Sequence, residues 1–450
     1  MTEHVVVIGG GFAGALQAIN LMRHDGPRAT VIERRDQAGE GVAYGDADPA
    51  HVLNVRAANM SALPDEPEHF VRWLNDAGYE AGPRTFVPRL VYGTYLRDIF
   101  ERVRAANPER LSLIQGDAVD LERRGEGVRV ALGNGETVMA DTAVLAVGNL
   151  PPHAPPGLDP DALDPQCYLG DPWRHHPARG LSDAAEVLIL GTGLTMVDMV
   201  LSLRRGGYTG RIVALSRRGL VPRAHDDQTA FDPIRERPCP RASHLLASVR
   251  ARATAVGWRN AVDELRRYTQ SLWRAADNAQ RERFLRHLRP WWDVHRHRIA
   301  PAVAEALDRE MTDRSLEVVA AKVSAFQQTA DGIAVTYRLR GENAPVTRTF
   351  ARVLNCIGPQ GDLARTTDPL LRALVGRGLL RPDAAHLGID VDAQNRIVRA
   401  DGKVSDRLLA IGPMTRGAHW EIVAVPDIRV QTWSVARRLS NAHWVGGEGL

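Results

Sequence analysis

Cysteine is scarce in this chain of 450 residues: Cys167, Cys239 and Cys356 lie far apart and no C-x-x-C pair exists. That spacing argues against a disulfide framework and against a dithiol that accepts electrons. Long apolar runs are also missing. None reaches the ~18 residues a membrane span needs, although 44% of the residues are hydrophobic. No basic stretch precedes the apolar run from Val5 to Ile8, and that run is too short for the core of a secretion signal. A cytoplasmic protein with no membrane partner is expected. An excess of one charge is lacking as well. The 57 basic and 54 acidic side chains leave +3, too balanced to imply a nucleic-acid partner. His295 and His297 have no companion set that completes a ligand shell, so no metal is expected.

What is present begins at the start of the chain. Val5-Val6-Val7-Ile8 reads as a buried strand and Ala15 to Met22 as a helix. Between them Gly9, Gly11 and Gly14 stand in the frame G-x-G-x-x-G. Such a turn brings a pyrophosphate against backbone N–H groups at a helix start. The next strand, Ala29 to Ile32, ends in Glu33, where an acid can hold a ribose diol. The loop from Asp48 to Pro67 then has little periodicity and many turn formers. It is expected to run along the cofactor toward its reactive ring. Asn54 and Asn59 either bond a heterocycle there or serve only as turn residues.

The opening pattern returns about 180 residues on. Val187 to Leu190 reads as a strand, Gly191-Thr192-Gly193-Leu194 as a glycine turn and Thr195 to Leu203 as a helix, with Met196 at the third glycine position. A second strand, Arg211 to Leu215, is followed not by an acid but by Ser216-Arg217-Arg218-Gly219. Arginines attract a 2′-phosphate that a carboxylate would repel. This leans toward NADPH over NADH, although solvent-facing arginines look the same. The reading is an α/β chain with two Rossmann-like dinucleotide-binding domains in a glutathione-reductase-like arrangement. Residues 1–165 and 365–450 are assigned to an FAD-binding domain and 180–360 to an NAD(P)H-binding domain. A helical insertion spans about 225–310.

That insertion carries twice as many arginines as acids between residues 215 and 300. Such a surface either binds an anion or is an ordinary solvated face in an arginine-biased chain. Pro290 is expected to break or kink a helix there. His295 and Arg298, three apart, can share a face. They are candidates for proton transfer and for anchoring an anionic substrate, or they simply pack the helix.

Taken together, GGGFAG, HVLNVRAANMSALPDEPEHFVRWL, GTGLTMVD, SRRGLVPRAH, WWDVHRHRIAP, VLNCIGP and GPMTRGAHWEIVAVPDIRVQ resemble one family. It is the FAD/NAD(P)-binding flavoprotein monooxygenase group that includes FAD-dependent urate hydroxylase and the aspartate N-monooxygenase that makes nitrosuccinate. The resemblance implies that Gly9, Gly11, Phe12, Ala13, Gly14 and Glu33 hold the ADP half of FAD. Arg34, Val119 and Gly148 join that cofactor set. Asn54 and Met60 would lie near the isoalloxazine, and Gly412 at its pyrimidine edge. Gly191, Gly193, Leu194 and Thr195 would bind the nicotinamide cofactor, with Arg217 and Arg218 beside them. The urate hydroxylase of the group is described with NADH, so NADH and NADPH both stay open.

The expected activity is FAD-dependent monooxygenation with NAD(P)H and O2. Its substrate is a small nitrogen-rich anion, first urate, giving 5-hydroxyisourate in purine metabolism. Asn54, His295 and Arg298 are the catalytic candidates. The alternatives are N-oxidation of an amino acid such as aspartate, a flavin reductase or dehydrogenase with another acceptor, or a non-catalytic redox sensor. The protein is expected as a monomer or homodimer.

Overall fold

The computed structural model describes residues 2–174, 176–226 and 231–440. Residues 227–230 of the expected insertion and 441–450 of the expected FAD-binding span lie outside the described residues. The chain forms two compact units. One comprises Met1–Gly45, Arg56–Leu150 and Gly361–Leu450, the other Asp46–Val55 and Pro151–Gln360.

The first unit is built on β1 (His4–Ile8), α1 (Phe12–Arg23) and β2 (Arg28–Glu33). β1 pairs in parallel with β2 from His4↔Arg28 to Ile8↔Ile32. Every residue of β1 is buried, as expected for a β-branched strand covered on both faces of a parallel sheet. Six strands follow the order Arg396–Val398, Val404–Ala410, Thr142–Leu145, β1, β2, Leu111–Gln115. Only the pairing of Arg396–Val398 with its neighbour is antiparallel. A separate antiparallel sheet joins Ala118–Arg124, Gly127–Leu132 and Thr137–Ala140. Val128, Val130 and Val138 of that sheet share one core with Ile8, Leu145 and Leu408 of the larger one.

The second unit repeats the opening motif with Val187–Leu190, a helix Leu194–Arg205 and Ile212–Ser216. Its sheet has seven strands. The long strand Leu316–Thr329 runs parallel to Ile212–Ser216 in its first part. From Ala321 onward it runs antiparallel to Gly332–Leu339, with an irregularity between Val323 and Ala325. The insertion is helical, from Ala242–Val256 to Arg289–Arg296. The expected interruption at Pro290 takes the form of a π turn over Phe284–Leu288, in the turn before the proline, and Pro290 itself lies in the first turn of Arg289–Arg296.

The division of the chain also departs from the expected spans. Residues 151–165 group with the second unit, and so does the loop 46–55. Several contacts hold that loop. Asp48 pairs with Arg205 at 3.0 Å. His51, 1% exposed, has Nε2 2.9 Å from both the Asp198 carbonyl and Ser202 Oγ. Its Nδ1 accepts from the Asp48 N–H, which fixes the tautomer with the proton on Nε2.

Candidate cofactor sites

In the first unit three glycines shape the turn after β1, each for its own reason. Gly9 adopts φ +100°, and a Cβ there would lie 2.4 Å from the Ala146 carbonyl oxygen. On Gly14 a Cβ would meet the Gly9 carbonyl at 1.8 Å, so helix and strand touch backbone to backbone. Gly11 differs. A Cβ would find only Gly41 near, at 3.4 Å, so its missing side chain leaves space and relieves no clash. α1 starts at Gly11 with no side-chain cap and no acid in its first turn. Its N–H groups are therefore available to a phosphate.

Glu33, 8% exposed, accepts from the Gly10 N–H at 2.5 Å on Oε2 and from the Arg35 N–H at 3.1 Å on Oε1. A carboxylate has about four lone-pair positions, so two remain for a ribose diol. Arg34 is exposed, its Nε 3.1 Å from Asp117. The Phe12 ring contacts Tyr44 and Tyr92 at centroid distances of 6.2 and 6.4 Å. Burial pushes the Tyr44 phenol up to about 12 and also raises the Tyr92 phenol well above its ordinary value.

A second glycine segment, absent from the expected set, closes on this turn. Gly39 (φ +113°) donates its N–H to the Gly10 carbonyl at 2.7 Å, and Gly41 (φ +59°) lies against Gly11. The spacing Gly39-Glu40-Gly41 was visible in the sequence, but nothing local said which turn it would meet.

The other expected FAD contacts are dispersed. Met60 is buried at the end of the short turn Ala57–Asn59. Val119 lies half-buried on the antiparallel sheet. Gly148 has φ +68° and open space around it. Gly412, φ +77°, rests on α1, where its Cβ would lie 3.1 Å from that of Ala13. Its N–H donates to Gln431 Oε1 at 2.7 Å. Gln431 Nε2 in turn donates to Asn395 and Thr415. That N–H is therefore spent inside the protein, and a contact with a flavin edge must use another group of the turn.

The second unit offers a matching turn. Gly191 has φ +105°, and its Cβ would strike the Cys356 carbonyl at 2.2 Å. Gly193 has nothing within 4 Å of its Cβ position and begins a helix with no side-chain cap and no first-turn acid. Leu194 and Thr195 are half-exposed at that helix start, whereas Met196 is fully buried in the core behind it. Arg217 is exposed, and Arg218 reaches the Arg286 and His287 carbonyls at 3.5 and 3.4 Å.

Asn54 accepts, through its backbone carbonyl, from His225 Nε2 at 2.9 Å. His295 is placed by a Nδ1 contact of 2.7 Å with the Trp291 carbonyl and packs edge-on to Trp258. Arg298 is 2% exposed. Its guanidinium pairs with Asp263, donates to the His295 carbonyl at 2.9 Å and covers Trp258. As placed, Arg298 packs the insertion. Asp263 could not be recognised as its partner from local pattern, because the two are 35 positions apart. The three cysteines are free thiols, and burial pushes the Cys356 thiol well up. Among the described residues, no helix is long and apolar enough to cross a membrane.

Two uncapped glycine turns, each opening a parallel βαβ unit, define a fold with two dinucleotide cradles. Residues 6–150 match the family model described as FAD-NAD(P)-binding, in agreement with FAD and NADH or NADPH as the expected cofactors. Among curated proteins the chain resembles the uncharacterized protein YdhS of Escherichia coli, at 24% identity over 266 residues. The match takes in 49% of this chain and 47% of the relative, so the chain spans about half the length of the curated relative it matches. Among solved structures, L-lysine 6-monooxygenase from Pseudomonas syringae aligns with a TM-score of 0.67 at 16% identity, covering 98% of this chain and 100% of that one. The ornithine N-hydroxylase of a Kutzneria species gives 0.65 at 16%, covering 98% and 99%. The thioredoxin reductase of Lactococcus lactis gives 0.53 at 12%, covering 98% of each. At these identities the likeness is one of fold.

Proposed function

We propose that the protein is an FAD-dependent, NADPH-using monooxygenase that hydroxylates an amine nitrogen of a small amino acid. The observation that carries this reading is the closer fold likeness to the amino-acid monooxygenases than to the thioredoxin reductase. The lysine and ornithine N-hydroxylases match over 98% of this chain, with TM-scores of 0.67 and 0.65. The thioredoxin reductase reaches 0.53, and this chain has no C-x-x-C to receive electrons as a disulfide reductase requires. The preference therefore moves from urate, the first expectation, to an amino acid.

FAD, when bound, accepts hydride from the nicotinamide and activates O2 for transfer of one oxygen atom. The residues of the first turn fit that cofactor. The uncapped start of α1 and the open side of Gly11 receive the pyrophosphate, and the spare lone pairs of Glu33 receive the ribose. The turn at Gly191 and Gly193 receives the nicotinamide dinucleotide. Arg217 and Arg218 stand where a 2′-phosphate would lie.

The test follows NADPH oxidation, O2 uptake and peroxide release with L-lysine, L-ornithine, L-aspartate or urate. A true substrate accelerates NADPH oxidation, lowers peroxide per NADPH and gains one oxygen atom by mass. If urate alone does this, the amino-acid reading falls and the monooxygenase class stands. If no compound in a wider amine panel is oxygenated, the class gives way to a reductase.

A further inference from the structure

A pair of hydroxyls that cofactor binding does not itself require joins the second glycine turn to the end of the strand Ile212–Ser216. Thr192, between Gly191 and Gly193, is 6% exposed. Its Oγ1 donates to the Leu220 carbonyl at 2.5 Å and lies 2.9 Å from Ser216 Oγ. A hydroxyl has one proton. With the Thr192 proton on Leu220, Ser216 donates to Thr192 and its oxygen accepts from the Gly219 N–H at 3.0 Å. These bonds tie the glycine turn to the turn 216–220. Gly219 has φ +61°, and a Cβ there would lie 3.2 Å from the Ala320 backbone nitrogen. The turn is thus held from both sides.

It carries two arginines in different situations. Arg218 leans on the Arg286 and His287 carbonyls of the insertion. Arg217 is exposed and, among the described residues, makes no ion pair or hydrogen bond. A guanidinium fork recognises phosphate only when its direction is right, and a turn ordered in advance lowers the entropy lost on binding.

We propose that the Thr192–Ser216 hydroxyl pair is a positioning device that fixes the 216–220 turn so that Arg217, rather than Arg218, reads the 2′-phosphate of NADPH. This rests on the NADPH reading above. Ser216 sits at the strand end where an acid would serve NADH. There it leaves the phosphate unopposed and locks the turn through its oxygen.

The experiment titrates the FAD-loaded protein by calorimetry with adenosine 2′,5′-bisphosphate and, separately, 5′-AMP. The readout is the ratio of the two affinities. Flavin absorbance and Tm verify folding. Thr192→Val is expected to cut the preference for the bisphosphate about tenfold, ~1.4 kcal/mol, and Thr192→Ser to restore it. Ser216→Ala should act like Thr192→Val and stands in if that variant fails to fold. Arg217→Ala should abolish the preference, and Arg218→Ala should change it less than about threefold. An unchanged ratio in folded Thr192→Val or Ser216→Ala overturns the proposal, as does an Arg218→Ala loss equal to that of Arg217→Ala. A double Arg217→Ala, Arg218→Ala variant that keeps the preference overturns the 2′-phosphate reading itself.

Discussion

Gly14 lies directly beneath Gly9, so close that a methyl group on Gly14 would sit 1.8 Å from the Gly9 carbonyl oxygen. Gly11, two residues beyond Gly9, has only the Gly41 Cα at 3.4 Å from its Cβ position. The two glycines of one motif therefore answer to different demands, one to packing and one to ligand access.

Their variants should separate accordingly. Gly14→Ala must push apart backbone atoms, and overpacking of this kind costs about 1–3 kcal/mol or more. We expect low soluble yield and a lowered Tm. Gly11→Val should fold, with a Tm near that of flavin-stripped wild type, but purify colourless. A yellow, fully loaded Gly11→Val protein would show that the pyrophosphate does not cross this turn.

Glu33 receives two backbone N–H groups, from Gly10 and Arg35. In Glu33→Gln the amide NH2 must face one of them, leaving a buried donor opposed at about 1–3 kcal/mol. FAD affinity should fall at least about tenfold, read by fluorescence of released flavin. Glu33→Asp should lose less. Unchanged affinity in Glu33→Gln would show that the acid serves neither the turn nor the ribose.

Arg298 is enclosed, whereas its partner Asp263 is one-third exposed. Removing one member of a fully buried pair costs ~3–5 kcal/mol, and the exposure of Asp263 places Arg298→Met below that range. The expected result is a lower Tm with substrate KM unchanged. A raised KM at unchanged Tm would instead identify Arg298 as the anchor for the substrate.

Burial holds His4, His24 and His69 below the ordinary histidine value of 6.5. All three lie in the first unit. Below pH 6.5 the unfolded chain takes up protons that the folded unit resists, so stability falls as pH drops from 6.5 toward the folded values. The Asp141 carboxylate is held below its ordinary 3.8, with burial opposing and the Glu3 and His4 N–H bonds favouring the charge. Its contribution is lost only in the acid range below that. Tm measured against pH should therefore decline in two separate windows. His69→Gln should flatten the upper one, and an unaltered slope would exclude His69 from it.

Much of this was readable from sequence because it is local. Gly9, Gly11 and Gly14 lie within one turn, and Glu33 follows one strand later. The second turn at Gly191 repeats the pattern with Met196 at its third position. What was not readable depends on distant partners. The closure of Gly39 on Gly10 crosses an irregular loop. The Asp48 and His51 contacts assign the loop 46–55 to the second unit, although the sequence around it belongs to the first. The acceptor of the Gly412 N–H, Gln431, lies nineteen positions later. Arg298 looked like a substrate anchor because periodicity names a face of a helix and not what packs against it.

The first unit is assembled from chain on both sides of the second. During synthesis β1, β2 and the strands Leu111–Gln115 and Thr142–Leu145 emerge early, but the neighbour of Thr142–Leu145 is Val404–Ala410. More than 250 residues separate those two strands. Until the later one arrives, a row of unpaired backbone groups stays open along a fully buried strand, a template for mispairing. The intervening residues 151–360 build a separate compact unit and are free to fold first. The first unit, whose glycine motif opens the chain, is therefore the one that finishes last.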